Sequence, residues 1–116
     1  MDIDDHLPLK PADFHILVAL LAGERHGYGL MQQVREDSGG RVELELGSLY
    51  RLIARLNDAG LISESRRRPA ADDDTRRRYY RITPLGRQVA EQEARRLAAV
   101  VRLARSHNLL GSLTER

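Results

Sequence analysis

Apolar residues recur at Phe14, Leu17, Val18 and Leu21, the i, i+3, i+4, i+7 spacing of one helical face. Pro11 suits the first position of that helix and Gly23 stops it. A second helix follows in "RHGYGLMQQVREDSGG", with Leu30, Met31 and Val34 on one face and Gly39-Gly40 as its C-terminal stop. In "RVELEL" the period changes to two. Val42, Leu44 and Leu46 alternate with charged residues, which predicts a short half-buried strand. The helical period returns from about Gly47 to Ala59, where Leu49, Leu52, Ile53 and Leu56 form a buried stripe and Gly60 takes the position after the C-cap.

Two further strands are predicted in "LISESRRR" and "RRRYYRIT", joined by "PAADDDT", a connection longer than a tight hairpin turn. Tyr80 and Ile82 fall on one strand face, Tyr79 and Arg81 on the other. Thr83-Pro84 supplies an N-cap and a first helical residue for a long helix to about His107. The order is helix, helix, strand, helix, strand, strand, helix: a mainly α chain with a small β-wing.

Length and composition narrow the chemistry. A chain of 116 residues fits one domain that buries roughly two thirds of its unfolded surface. The absence of cysteine removes thiol catalysis, cysteine-rich zinc sites and disulfides. No apolar run approaches the ~18 residues that span a bilayer, and "MDIDDHLPLK" is acidic where a signal peptide is basic. A soluble, cytoplasmic protein without a membrane partner is expected.

The formal charge of +2 says little, but its distribution says more. Residues 11–47 are predominantly acidic, whereas 66–81 carry Arg66, Arg67, Arg68, Arg76, Arg77, Arg78 and Arg81 against Asp72, Asp73 and Asp74. Arginine's planar fork suits phosphates and guanine edges.

On the third helix the buried stripe leaves Ser48, Tyr50, Arg51, Ala54, Arg55 and Asp58 outward, and Arg51 and Arg55 are i, i+4 neighbours that point together. Backbone N–H groups near Gly47 and Ser48 suit a phosphate while the arginines reach bases or backbone. Alone, such a face is more often simply solvated. The arginine-flanked ribbon changes the weighing, because helix and ribbon together make a winged helix-turn-helix. An acidic loop tip does not suit phosphates, so the contacts fall on the flanking arginines, Arg76, Arg77 and Arg78 among them.

The chain resembles the PadR family of bacterial transcriptional regulators through "HGYGL" at 26–30, "GSLYRLIARLNDAGLI" at 47–62 and "RRYYRITPLG" at 77–86. The resemblance covers roughly residues 7–90. It implies a DNA-binding winged helix-turn-helix over 7–83 and a C-terminal dimerisation helix over 84–108, as in the family's short members. It further implies that Tyr28 begins a second helix lying against DNA, that Ser48 and Tyr50 stand near the DNA backbone, and that Arg77 and Arg78 match the basic pair before the double tyrosine. Arg51 stands where the family commonly has proline, and Ala54 where it has lysine. By the same resemblance a small-molecule effector sits between the C-terminal helix and the first, near Phe14, Val18, Arg96 and Val100.

The long helix carries its own apolar stripe, Ala90, Ala94, Leu97, Val101 and Ala104, which one small domain cannot easily cover. A homodimer would set two recognition helices about one DNA turn apart on a pseudo-palindromic operator. The expected function is a sequence-specific DNA-binding regulator, a repressor, located at the nucleoid when bound to DNA. The alternative is a winged-helix protein-interaction module that never touches DNA. No nucleophile elbow, phosphate loop or dinucleotide fingerprint points to an enzyme, and no histidine pair has the i, i+4 spacing of a helical metal site, so neither catalysis nor a cofactor is expected.

Overall fold

The computed structural model describes residues 2–65 and 78–111. A 3-10 turn at Ile3–His6 leads into α1 (Pro11–Leu21), β1 (Arg25–His26), α2 (Gly27–Asp37), α3 (Leu46–Asp58), β2 (Ile62–Glu64), β3 (Tyr79–Ile82) and α4 (Pro84–Ser106). The strands form an antiparallel sheet with β3 central, pairing Arg25 with Tyr80 on one side and Ile62 with Ile82 on the other. This is a mainly helical winged-helix arrangement.

The four helices stand where the sequence put them, with termini set by identifiable groups. Thr83 Oγ1 accepts the Gly86 N–H at 3.0 Å to cap α4, and Pro84 takes its first position. His26 caps α2 through Nδ1, which accepts the Gly29 N–H at 3.2 Å. On α3, Leu49, Ile53 and Leu56 are buried, each contributing about 1.5–3 kcal/mol relative to exposure. Gly60 follows the helix at φ +79°.

Three expectations are corrected. "RVELEL" is not a strand. Val42 and Leu44 are half-buried against the core as the alternation requires, but the segment pairs with neither outer strand of the sheet, β1 or β2. Ser38 Oγ accepts the Val42 N–H at 2.9 Å instead, and Leu46 is already helical. The strand lost there is replaced by β1, two residues between α1 and α2 that carry no periodicity. Finally, α1 is rotated relative to its predicted face: Asp13, Ile16, Leu17, Ala19 and Leu20 are buried, whereas Phe14 and Val18 are half-buried and Leu21 is exposed. A helix apolar nearly all round, packed between α2 and α4, shows no single stripe.

The sequence motifs are contacts between elements. His26 meets the Tyr79 ring edge-on at 5.4 Å; the Thr83 hydroxyl donates to the Gly60 carbonyl at 2.6 Å, and the Thr83 N–H to the Leu61 carbonyl at 3.0 Å. These motifs therefore set how the helices and sheet fit together.

A buried carboxylate holds the N-terminal segment to α4. Glu93, 2% exposed, accepts from Arg96 Nε at 2.8 Å and Nη2 at 2.7 Å, and from the Leu9 N–H. The Arg96 hydrogen bonds, helped by Leu9 and opposed by burial, hold the Glu93 carboxyl below the usual glutamate range. Such a group contributes stability that is complete above its unfolded value of about 4.3 and is lost as pH falls through the lower native value. Glu93→Gln is expected to make the loss of thermal stability below about pH 4.3 less steep. Melting curves followed by circular dichroism across that range check it; a profile parallel to the unsubstituted chain's would contradict it.

Candidate nucleic-acid interface

The outward half of α3 presents Tyr50, Arg51, Ala54 and Arg55, all exposed, because the inward half is committed to the core. No side chain caps the start of this helix: Glu45 occupies the N-cap position without a hydrogen bond to the first turn. The N–H groups near Gly47 and Ser48 therefore have no capping side chain, as an anion-binding helix start requires. Glu45 acts at most through its charge near the positive helix end.

Tyr50 is 47% exposed, and its position depends on α2: a Cβ added at Gly27 would lie 2.7 Å from the Tyr50 hydroxyl. Glycine at the first position of α2 thus lets Tyr50 pack against the helix start. Tyr28, next in sequence and 53% exposed, lines an open cleft of ≈ 500 Å³ with Met31, Gln32 and the 43–45 segment. Glu43 on that cleft is paired with Arg35 at 3.4 Å.

The two arginines of α3 are not equivalent. Arg51 Nη2 donates to Ser48 Oγ at 3.2 Å, an exposed contact within one turn of helix. Arg55 Nη2 donates to both oxygens of Asp13, at 2.6 and 2.7 Å. Asp13 is only 7% exposed. Taking the partner from a buried carboxylate costs about 3–5 kcal/mol, and even discounted for the half-exposed guanidinium this offsets the about 1–3 kcal/mol that a bidentate base contact supplies. The sequence placed Arg55 beside Arg51 as a DNA contact; the structure joins it to α1.

Of the predicted wing residues, Arg78 lies just before β3, exposed, 3.9 Å from an also exposed Glu64, an ion pair of little energetic weight. Arg76 and Arg77, the 66–68 arginines and the 72–74 aspartates lie outside the described residues.

The other predicted residues divide between α4 and its grooves. Ala94, Leu97, Val101 and Ala104 are exposed or half-exposed, but Ala90 is 4% exposed in the chain's own core, since the first turns of α4 pack on α1. Phe14 lines two grooves. One, of ≈ 480 Å³, also has Pro8, Leu9, His15, Glu93 and Arg96; the other, of ≈ 150 Å³, has Val18, Leu21 and Ala94. Val100 belongs to neither, and Arg96 is committed to Glu93. No helix among the described residues is long and apolar enough to cross a membrane.

Comparison with known proteins bears on this geometry. The sequence profile of the family described as "Transcriptional regulator PadR-like family" matches residues 16–92. An uncharacterized 37.1 kDa protein in transposon TN4556 of Streptomyces fradiae is 37% identical over 87 residues, which are 75% of this chain and 23% of that protein. The chain thus spans less than a quarter of that relative. Among solved structures, a PadR-like transcriptional regulator from Bacillus cereus is 25% identical with a TM-score of 0.69, covering 86% of this chain and 91% of its own. A transcriptional regulator from Clostridium thermocellum is 27% identical with a TM-score of 0.67, covering 82% and 87%. Bacillus subtilis PadR, solved in complex with operator DNA, is 23% identical with a TM-score of 0.60, covering 72% of this chain and 46% of that one.

Proposed function

The chain belongs to the transcriptional regulator PadR-like family, and we propose that it is a sequence-specific DNA-binding regulator, a repressor acting as a homodimer on a pseudo-palindromic operator. The observation that carries this reading is the outward half of α3, with Tyr50 and Arg51 exposed beside an uncapped helix start. The operator complex of Bacillus subtilis PadR supports DNA as the partner. In this reading residues 7–83 engage DNA, with α3 in the major groove, Tyr28, Ser48 and Tyr50 near the backbone, and Arg76, Arg77 and Arg78 on the flanking phosphates. Residues 84–108 dimerise through Ala94, Leu97, Val101 and Ala104. The groove between Phe14 and Arg96 is the place for a small-molecule effector.

Arg51 is the base-reading candidate, since nothing buried holds it. Arg51→Ala is expected to cost about 1–3 kcal/mol on the preferred sequence and relax preference at one position. Arg78→Ala should weaken all sequences alike and reduce the salt slope by about one. Titrations of both variants on preferred and random duplexes separate the roles, and equal losses on both duplexes from both variants would reject the division. The alternative, a protein-interaction module, draws on the pairing of Arg55 and Arg78 with carboxylates. It requires no binding to either duplex.

A further inference from the structure

We infer that Arg55 is a positioning residue: through Asp13 it fixes the recognition helix on α1 and leaves base reading to Arg51. This rests on the DNA-binding reading above. The geometry behind it is a carboxylate placed where the chain otherwise puts apolar side chains. Asp13 occupies the buried face of α1 with Ile16, Leu17 and Leu20, and Arg55, 42 residues away on α3, brings one nitrogen to both its oxygens at 2.6 and 2.7 Å. The backbone of α3 packs on α2 and β2, while α1 packs on α2, β3 and α4. The Asp13–Arg55 pair is therefore a direct polar tie between α3 and α1, placed in the last turn of α3, where a small change in tilt displaces the exposed face.

Arg51, one turn earlier on that face, has among the described residues only the Ser48 hydroxyl as a partner and can turn toward a base without stranding a buried charge. Arg55 cannot. A guanidinium that held DNA directly and one that orients the helix respond oppositely to two substitutions. Asp13→Asn removes no cation and raises the net charge by one, so a direct contact predicts equal or tighter binding. Positioning predicts that binding weakens about tenfold on every sequence, because the helix loses its tie. Arg55→Lys keeps a charge that can reach Asp13 but loses the two-pronged geometry a base edge requires. Positioning predicts an unchanged sequence preference, whereas Arg51→Lys alters it.

The test uses the full chain, fluorescence anisotropy, and duplexes carrying the sequence that the unsubstituted chain selects from a random pool, with each single-base variant of it. Weakened binding by Asp13→Asn together with the retained preference of Arg55→Lys is the expected result. Equal or tighter binding by Asp13→Asn, or a preference changed by Arg55→Lys, overturns the inference. If Asp13→Asn does not fold, shown by circular dichroism, the Arg55→Lys preference decides alone. Failure of the unsubstituted chain to bind any duplex would remove the DNA-binding reading and this inference with it. Binding by that chain with altered preference in Arg55→Lys would remove the inference only.

Discussion

Gly86→Ala is expected to destabilise the fold by about 3 kcal/mol or more, the upper end of overpacking. A Cβ at this position would lie 2.0 Å from the Leu61 carbonyl oxygen and 2.9 Å from both the Leu61 carbonyl carbon and Ile82 Cγ1. A side chain could rotate away, but the Leu61 carbonyl cannot without moving the start of β2 that follows it. That carbonyl also accepts the Thr83 N–H, so the shift breaks the junction from which α4 departs. In a domain of this size the loss lowers the melting temperature by about 4 °C per kcal/mol. Thermal and urea unfolding measure it, and a melting temperature within a few degrees of the unsubstituted chain would mean that the close approach at Gly86 is absent in solution.

The second large effect concerns assembly. Val101 lies on the exposed apolar run of α4, with Val100 and Leu103 beside it, and none of the three is buried in the chain's own core. Val101→Glu is therefore expected to leave the monomer fold intact while placing a carboxylate in the proposed dimer face. Bivalent binding to two half-sites gains about 10²–10⁴ in affinity from the linkage, and the variant should lose that gain. Light scattering would show a mass of one chain, circular dichroism an unchanged helical spectrum, and titration near-normal affinity for a single half-site. A variant that stays dimeric contradicts the assignment of this stripe.

How much of this was legible in the sequence follows from the range of each signal. Local signals were sufficient for the helices: Pro11, Gly39-Gly40, Gly60 and Thr83-Pro84 mark their ends, and the α3 stripe separates buried from exposed residues except at Leu52 and Ser48, which are both half-buried. The wing's strands were legible in kind, and among the described residues they are Ile62–Glu64 and Tyr79–Ile82. What failed depended on distant partners. "RVELEL" has the right alternation but the fold sets it beside no strand, whereas Arg25 and His26 gain a strand only because β3 lies alongside. Both tyrosines of β3 are buried, against a simple alternation of faces, because His26 covers Tyr79.

The two buried carboxylates show the same limit. Asp13 belongs to the series 13, 16, 17, 20 and Glu93 to the series 86, 89, 90, 93, each an i, i+3, i+4, i+7 face that is otherwise apolar or glycine. A charge on such a face signals a required partner. For Glu93 the partner is three residues along the same helix and could have been guessed; for Asp13 it is on another helix, and only the fold shows that Arg55 is taken. The two arginines expected to point together on α3 share an exposed face, but they have different neighbours. Ala90 was misplaced for a related reason, since the stripe of α4 runs from the chain's own core onto its exposed half without a break in the pattern.

The measurement that bears most directly on the central claim is binding to the DNA just upstream of the chain's own gene, by fluorescence anisotropy beside a scrambled duplex, at about 50 and 200 mM salt. The account predicts tight binding that prefers the upstream duplex, weakens by orders of magnitude between the two salt concentrations, and saturates at two chains per site. Equal binding to both duplexes would place the operator elsewhere. Absence of binding to either at the lower salt concentration would contradict the account and leave α3 as a surface for another protein.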